Sequence, residues 1–379
     1  MSPWEWDQAG LDTELARARA GIAADRFGDA ALLLEQTRVS GDWERRAHAV
    51  QVLAASAQAS DIARRWMNEQ PDNPDAVLLA ARVSLLWAAQ ARREHQTPRL
   101  RQLLASADAL WRLAAQKDPG DPVPYAVPLH LEHLSPGAFV LPREAGVPMP
   151  YPVPGPWHAW RIADDRLHAS AEAAHTLLAF YLARRGGQVA HVNHVADFLA
   201  HRAPLDSPLR LLPAYAAVEA LAAPDAKPPV PLDDARAEYL CRLYRLLGDK
   251  YAEWVTARPD ARYEAEHRID GILEMVAEAL DPQQRPAARM VAARAAARDV
   301  YETWFPRQDA APPVYATARD LSVLAWALGP EDPRTRRVLE HLGPVASPYP
   351  WRLLDKDGDP ERALRAFYLQ AVVDLPRRA

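Results

Sequence analysis

The stretch PDNPDAVLLAARVSLLWAAQ, from Pro71 to Gln90, decides the fold class. A turn containing two prolines opens it, and the apolar residues that follow recur at spacings of three and four, which is the period of an α-helix. Asn73 stands directly before Pro74. An asparagine in this place caps the unpaired N–H groups at the start of a helix, and proline is tolerated in the first turn. The stretch therefore predicts a long helix with a capped start.

Two further turns share this pattern, PGDPVP (119–124) and the looser APLDSPL (203–209). Strand signals are scarce, whereas helical periodicity extends over most of the chain, and alanine and arginine, which favour helices, are abundant. The sequence therefore predicts an all-α fold. The segments with the clearest helical period, besides the opening stretch, are AHAVQVLAASA, LRQLLASADALWRLAAQ and ARAEYLCRLYRLLGDKYAEWV.

The proline turns, together with RFGDAALLLEQ (Arg26–Gln36) and DGDPERALRAF (Asp357–Phe367), resemble those of tetratricopeptide-like (TPR-like) helical repeat proteins. The first two turns are 48 residues apart, whereas a standard repeat has 34. The resemblance implies an irregular α-solenoid of antiparallel helical hairpins, whose concave groove would bind a protein or peptide partner. The residues of the last segment that match the small–large packing order of the repeat are Gly358, Asp359, Glu361, Ala363, Leu364 and Phe367.

Two breaks divide this pattern. LSPGAFVLPREAGVPMPYPVPGPW (134–157) is too rich in proline to remain helical, and we expect this long loop to lie against the solenoid. APDAKPPVPLDD (223–234) is shorter and polar, as a hinge would be. The breaks predict an N-terminal TPR-like region, residues 1–225, that includes the loop, and a C-terminal helical region, residues 226–379, in which the solenoid continues.

Composition narrows the classes of partner and compartment. The formal net charge is -5, the pI is about 6.2, and basic and acidic residues are interspersed, which argues against a nucleic-acid partner. The start of the chain lacks the pattern of a signal peptide, and no apolar run is long enough to span a membrane, so we expect a cytoplasmic protein. Cys241 is the single cysteine, which excludes an intramolecular disulfide and a cysteine-based zinc site.

The stretch HVNHVADFLAH (191–201) raises the question of a metal site. On a helix its polar residues share one stripe beside the apolar face, and the preceding helix carries a similar acid–histidine stripe. If the two helices pair, the stripes could hold iron, zinc or manganese; otherwise they are exposed histidines on helix faces beside the core, and no cofactor is expected. The candidate metal ligands are His168, Glu172, His175, His191, His194 and Asp197.

Aromatic residues in or beside the proline-rich loop form a second candidate set. Tyr151, Trp157 and Trp160 are suited to an exposed groove or interface, where aromatic side chains anchor partners. The alternative role for such residues is to cap the ends of the solenoid.

No complete catalytic motif is present: the chain lacks GxGxxG, GxxxxGK[ST], GxSxG and HExxH. The leading hypothesis is therefore a non-catalytic scaffold that binds a protein or peptide through its concave groove. The alternative is an all-helical enzyme or small-ligand binder, with a histidine–carboxylate site in the 164–201 hairpin and the 134–157 loop closing over it.

Overall fold

The structure is a computed structural model that describes residue 9, residues 12–135, 155–182 and 189–222, scattered helical positions between 235 and 257, and residues 285–307, 315–343 and 345–374. The chain forms two compact units. The N-terminal unit comprises Leu11–Val147 and Pro154–Ala183, and the C-terminal unit comprises Met1–Gly10, Pro148–Val153 and Arg184–Ala379. The boundary predicted at residue 225 lies inside the C-terminal unit.

Every regular element in the described part of the N-terminal unit is a helix, which agrees with the predicted all-α class. A short 3-10 helix, Val123–Ala126, precedes α7. The α-helices are α1 (Thr13–Ala23), α2 (Gly28–Ser40), α3 (Trp43–Ala57), α4 (Ile62–Glu69), α5 (Pro74–Arg93), α6 (Thr97–Lys117), α7 (Val127–Leu134), α8 (Trp157–Arg166) and α9 (Ala171–Leu182).

The described part of the C-terminal unit is also helical. Short 3-10 helices, Pro208–Leu211 and Phe305–Arg307, connect longer helices, and a π-helical turn, Leu369–Asp374, follows the last one. Among the described residues, no helix is both long and apolar enough to cross a bilayer. The α-helices are α10 (Val189–Arg202), α11 (Leu212–Ala222), α12 (Arg285–Thr303), α13 (Tyr315–Leu328), α14 (Pro333–Leu342), α15 (Trp351–Leu354) and α16 (Pro360–Tyr368).

The proline turns start helices in the predicted way. The side chain of Asn73 accepts a hydrogen bond of 2.9 Å from the backbone N–H of Asp75, and Pro74 is in the first turn of α5. At the second turn the carboxylate of Asp121 accepts from the N–H of Val123, also at 2.9 Å. This turn and the third one lead into 3-10 helices first, so the cap was predicted correctly but the type of the first helical turn was not.

Helix α5 is the centre of the N-terminal unit. It forms a long hairpin with α6 and also packs against α2, α3, α4 and α7. All residues from Asp75 to Leu85 are buried, including the polar residues Asp75, Arg82 and Ser84. A helix enclosed in this way lines no open groove over that length, and the buried polar residues on it need partners inside the core.

Candidate functional site

The six predicted metal ligands are divided between the two units. His168, Glu172 and His175 belong to the N-terminal unit, whereas His191, His194 and Asp197 belong to the C-terminal unit. The 164–201 segment is therefore not one hairpin of a single unit. Among the described residues, no group of three or more histidine, cysteine, aspartate or glutamate side chains is placed to hold a metal ion.

Within the N-terminal unit, the three predicted ligands have different surroundings. Glu172 is buried, and both of its carboxylate oxygens are engaged by Arg82 and His130. His168 is largely exposed, and its Nδ1 lies 3.3 Å from Oδ1 of the buried Asp164. His175 is half-buried. Glu172 would have to give up an ion pair inside the core before it could bind a metal.

In the C-terminal unit, α10 buries more of its polar stripe than predicted. Asp197 is 1% exposed and forms an ion pair with Arg289 of α12, and the side chain of His201 is buried, with Nδ1 donating to the carbonyl of Asp197 at 2.7 Å. His194 is half-buried, and the side chain of His191 lies outside the described residues. The interpretation of this stripe as lying beside the core is therefore wrong for Asp197, because its side chain is buried and paired with Arg289 of α12.

A small cavity adjoins this stripe. Its volume is about 30 Å³, and it is bounded by alanines from α10 and α12 and by His201, Arg210 and Asp299. Arg210 and Asp299 pair at 2.8 Å, which balances their charges. A space of this size accommodates one or two water molecules and is too small for a substrate.

Two of the three aromatic residues predicted as groove anchors, Trp157 and Trp160, are inside the core. Trp157 is 2% exposed and Trp160 is 3% exposed, so their prediction as exposed anchors is wrong. The two rings meet edge to face, 5.7 Å apart, and Trp157 also contacts Tyr181 on α9. These contacts pack α8 onto α9 and remove the indoles from water, which outweighs any benefit of exposing them. Tyr151 lies outside the described residues.

The best-defined polar cluster in the N-terminal unit joins Arg82, His130, Glu172 and Thr176. Nη2 of Arg82 on α5 donates to Oε2 of Glu172 on α9 at 2.9 Å and to the carbonyl of Val123 at 3.2 Å. Nε2 of His130 on α7 lies 2.7 Å from Oε1 of the same carboxylate and 3.4 Å from the hydroxyl of Thr176. The cluster thus ties α5, α7 and α9 together.

Glu172 is held as a carboxylate. Burial acts to raise the pKa of Glu172, but the charge of Arg82 and the hydrogen bond with His130 outweigh burial and lower this pKa to about 2. Glu172 is therefore ionised near neutral pH, and it is the acceptor for both neighbouring side chains.

The arrangement around His130 determines which of its nitrogens can react. Because Nε2 faces a carboxylate, it carries the proton, and a neutral ring then leaves Nδ1 as an acceptor. The hydroxyl of Thr176 approaches the same Nε2, so His130 cannot relay a proton between Thr176 and Glu172 as a triad histidine would. The side chain of His130 is 26% exposed. Chemically, the cluster offers one oriented imidazole at the edge of the core.

A second ionic cluster lies at the proline turns. The guanidinium of Arg46 on α3 is fully buried, with Nη2 2.6 Å from Oδ1 of Asp75 and 2.6 Å from Oδ2 of Asp121. Its Nη1 donates to the carbonyl of Leu34 at 2.7 Å. Burial acts to lower the pKa of Arg46, but the two carboxylates outweigh it and raise the pKa. The aspartates of the first two proline turns thus meet at one arginine.

The sequence carried one usable signal for these clusters. Arg82 interrupts an otherwise apolar helical run, and a charged residue inside such a run indicates a buried partner. The identity of the partner was not accessible, because Glu172 is 90 residues away along the chain.

The chain matches no protein-family model, no curated protein and no solved structure. The fold and its clusters define an all-helical protein with two compact units. Its function has to be argued from its own side chains.

Proposed function

We propose that the protein is a helical scaffold that binds a partner protein through the outer face of α2. The observation that supports this proposal is a pair of exposed apolar side chains on that helix, Leu32 at 48% and Val39 at 79% exposure. The opposite face of α2 is buried against its neighbours through Ala30, Leu33, Leu34 and Thr37. The exposed pair is therefore not required by the core of the unit.

The spacing of the pair indicates the form of the partner. Leu32 and Val39 are seven residues apart, so they lie two turns apart on one side of the helix. Anchors at this spacing are those by which two amphipathic helices pack together. The positions between them on the same face, Glu35 and Gln36, are exposed and polar, as the rim of such a contact is. An amphipathic helix of another protein is the partner that fits.

The order of packing in the N-terminal unit favours a solenoid-like scaffold. Helices α1, α3, α5, α7 and α9 pack in succession, each against the next, as the first helices of stacked hairpins do. Because α5 is enclosed, we propose the outside of α2, and not a groove along α5, as the partner surface.

The test compares two matched pairs of substitutions. Leu32→Lys with Val39→Lys disrupts the proposed surface, and Ser106→Lys with Leu113→Lys adds the same charge at the same spacing on the exposed face of α6. A photo-crosslinker at Glu35 identifies the partner, and titration calorimetry measures its affinity. The first variant is expected to bind at least about tenfold more weakly and the second to bind as the parent does. Equal affinities, or a second copy of this chain as the sole crosslinked partner, would refute the proposal.

His130 favours a second candidate, an enzyme or small-ligand binder in which His130 acts as base or ligand. Its Nε2 is fixed by Glu172, and Nδ1 has no hydrogen-bond partner among the described residues. A thermal-shift screen of small molecules, and of iron, zinc and manganese, against the parent and His130→Gln tests this candidate. A stabilising compound that loses its effect in the variant supports it, and equal shifts in both proteins remove it.

A further inference from the structure

A hydrogen bond holds the C-terminal end of α7 against α5 at His133. Nη1 of Arg92 on α5 donates to the backbone carbonyl of His133 at 2.7 Å. The His133 ring is half-buried, and its Nδ1 is buried without a hydrogen-bond partner among the described residues. A neutral ring tolerates this position, but a protonated ring would place an N–H donor there that no described residue accepts.

The charged groups around His133 add to this preference. Arg92 of α5 and His130 of α7 both disfavour a positive charge on the ring. Glu172 of α9 faces His130 and is already paired with Arg82 of α5, while Glu132 is the acidic neighbour on α7 itself. Leu100 and Leu103 of α6 pack against the apolar cluster that contains Leu131 of α7, and Arg166 of α8 lies over the ring of Tyr125.

We propose that His133 is an acid-sensitive switch, and that protonation of its ring releases the last turn of α7 from α5. Burial, followed by the charges of His130 and Arg92, lowers the pKa of His133 to about 4. A histidine whose pKa is lowered by folding contributes stability above its unfolded value, near 6.5, and this contribution is lost as the pH falls toward 4. The released turn would expose Leu131 and Leu134, which pack in the core around Trp111.

Hydrogen exchange on the full chain measures the release. Between pH 7 and pH 5, after correction for intrinsic rates, the protection of amides 131–135 is expected to fall by about tenfold, allowing for partial solvent screening. In His133→Gln and His133→Leu, which carry no titratable ring, protection is expected to stay level over this range. His168→Gln, which removes a largely exposed histidine on the same unit, serves as the matched control and should behave as the parent does.

A titration of the histidine ring signals in the parent protein keeps the test independent of whether a variant folds. His133 is expected to titrate below pH 5, and titration above pH 6 would overturn the proposal. Equal loss of protection in the parent and in both His133 variants would also overturn it, since another group would then carry the effect.

Discussion

Two buried carboxylates, Glu172 in the N-terminal unit and Asp320 in the C-terminal unit, have pKa values shifted in opposite directions. In the N-terminal unit, Glu172 faces the guanidinium of Arg82, and its pKa is lowered to about 2 in spite of burial. In the C-terminal unit, Asp320 accepts a hydrogen bond of 2.6 Å from the hydroxyl of Tyr215, and burial raises its pKa although Arg319 and Tyr215 act in the other direction. The pKa of Glu219, which is hydrogen-bonded to Tyr349, is also raised by burial.

The difference between these pKa shifts lies in the group that donates a hydrogen bond to the carboxylate. A guanidinium in direct contact supplies a full charge that outweighs desolvation, whereas a neutral hydroxyl supplies a dipole that does not. Ion pairs therefore hold the centre of the N-terminal unit. In the C-terminal unit, Tyr215 joins α11 to α13 through its hydrogen bond with Asp320, and its ring stacks on Tyr349 in the segment before α15. The stability that the two arrangements contribute is therefore expected to change in opposite directions as the pH falls.

The largest expected effect comes from breaking the Arg46 cluster. Arg46→Met leaves Asp75 and Asp121 buried without the guanidinium they share, although Arg38 stays 3.9 Å from Asp75. Removal of one partner of a buried ion pair costs about 3–5 kcal/mol. We expect the free energy of unfolding of the N-terminal unit to fall by that amount in urea denaturation followed by tryptophan fluorescence.

Arg45 provides the matched control for Arg46. It is on the same helix and pairs with Asp12 at 2.8 Å, but its side chain is 32% exposed. Arg45→Met is therefore expected to cost less than about 1 kcal/mol. Adding Asp75→Asn and Asp121→Asn to Arg46→Met should recover part of the loss, because no buried charge then remains. Similar losses for Arg45→Met and Arg46→Met would contradict the ionic explanation.

A smaller effect is expected from the tyrosine in the C-terminal unit. Tyr215→Phe removes the hydroxyl that donates to Asp320, and an unsatisfied buried acceptor costs about 1–3 kcal/mol. Thermal unfolding at neutral pH measures the loss. Asp320→Asn alters the same hydrogen bond from the acceptor side. The double variant should therefore lose less stability than the sum of the losses of the two single variants. Additive losses would show that the two side chains act independently.

The smallest expected effect is a difference in how the stability of the two units changes with pH. The contribution of Glu172 is present above its unfolded pKa and is lost as the pH falls toward 2, by about 1 kcal/mol at pH 4. The contributions of Asp320 and Glu219 have the opposite sign: they are present below the unfolded pKa and are lost as the pH rises through the folded value. Acidification should therefore lower the stability of α5 against local unfolding and raise that of α13.

Hydrogen exchange of α5 and α13 between pH 7 and pH 4 measures this divergence. The experiment is best carried out in His133→Gln, so that the ring of His133 does not contribute. Parallel changes in the two helices would contradict the assignment of opposite pKa shifts.

Local features of the fold could be predicted from the sequence, because they depend on neighbours along the chain. The cap at Asn73, the proline after it and the start of α16 at Pro360, capped by Asp359, all follow from side chains within three residues. The all-helical class followed from periodicity in the same way.

The candidate site could be predicted only in part, since its contacts are long-range. Glu172 is predicted as a metal ligand from the acid–histidine stripe of its own helix, whereas its partner in the structure, Arg82, is 90 residues away along the chain. Asp75 and Asp121 have the sequence pattern of ordinary turn residues, and nothing near them indicates that both meet Arg46. Trp157 and Trp160 were misplaced because the proline-rich context of Trp157 resembles that of an exposed loop.

The Arg46 cluster also has an evolutionary consequence. Three side chains from separate segments, those of Arg46, Asp75 and Asp121, form ion pairs with one another and are buried from water. Loss of Arg46 leaves two carboxylates buried without the guanidinium they share, and loss of either aspartate removes an acceptor that Arg46 uses, whereas replacement of all three by apolar residues is tolerable. Lineages descended from a common ancestor of this chain should therefore keep the trio together or lose it together. That co-inheritance would identify distant relatives after the rest of the helical surface has diverged.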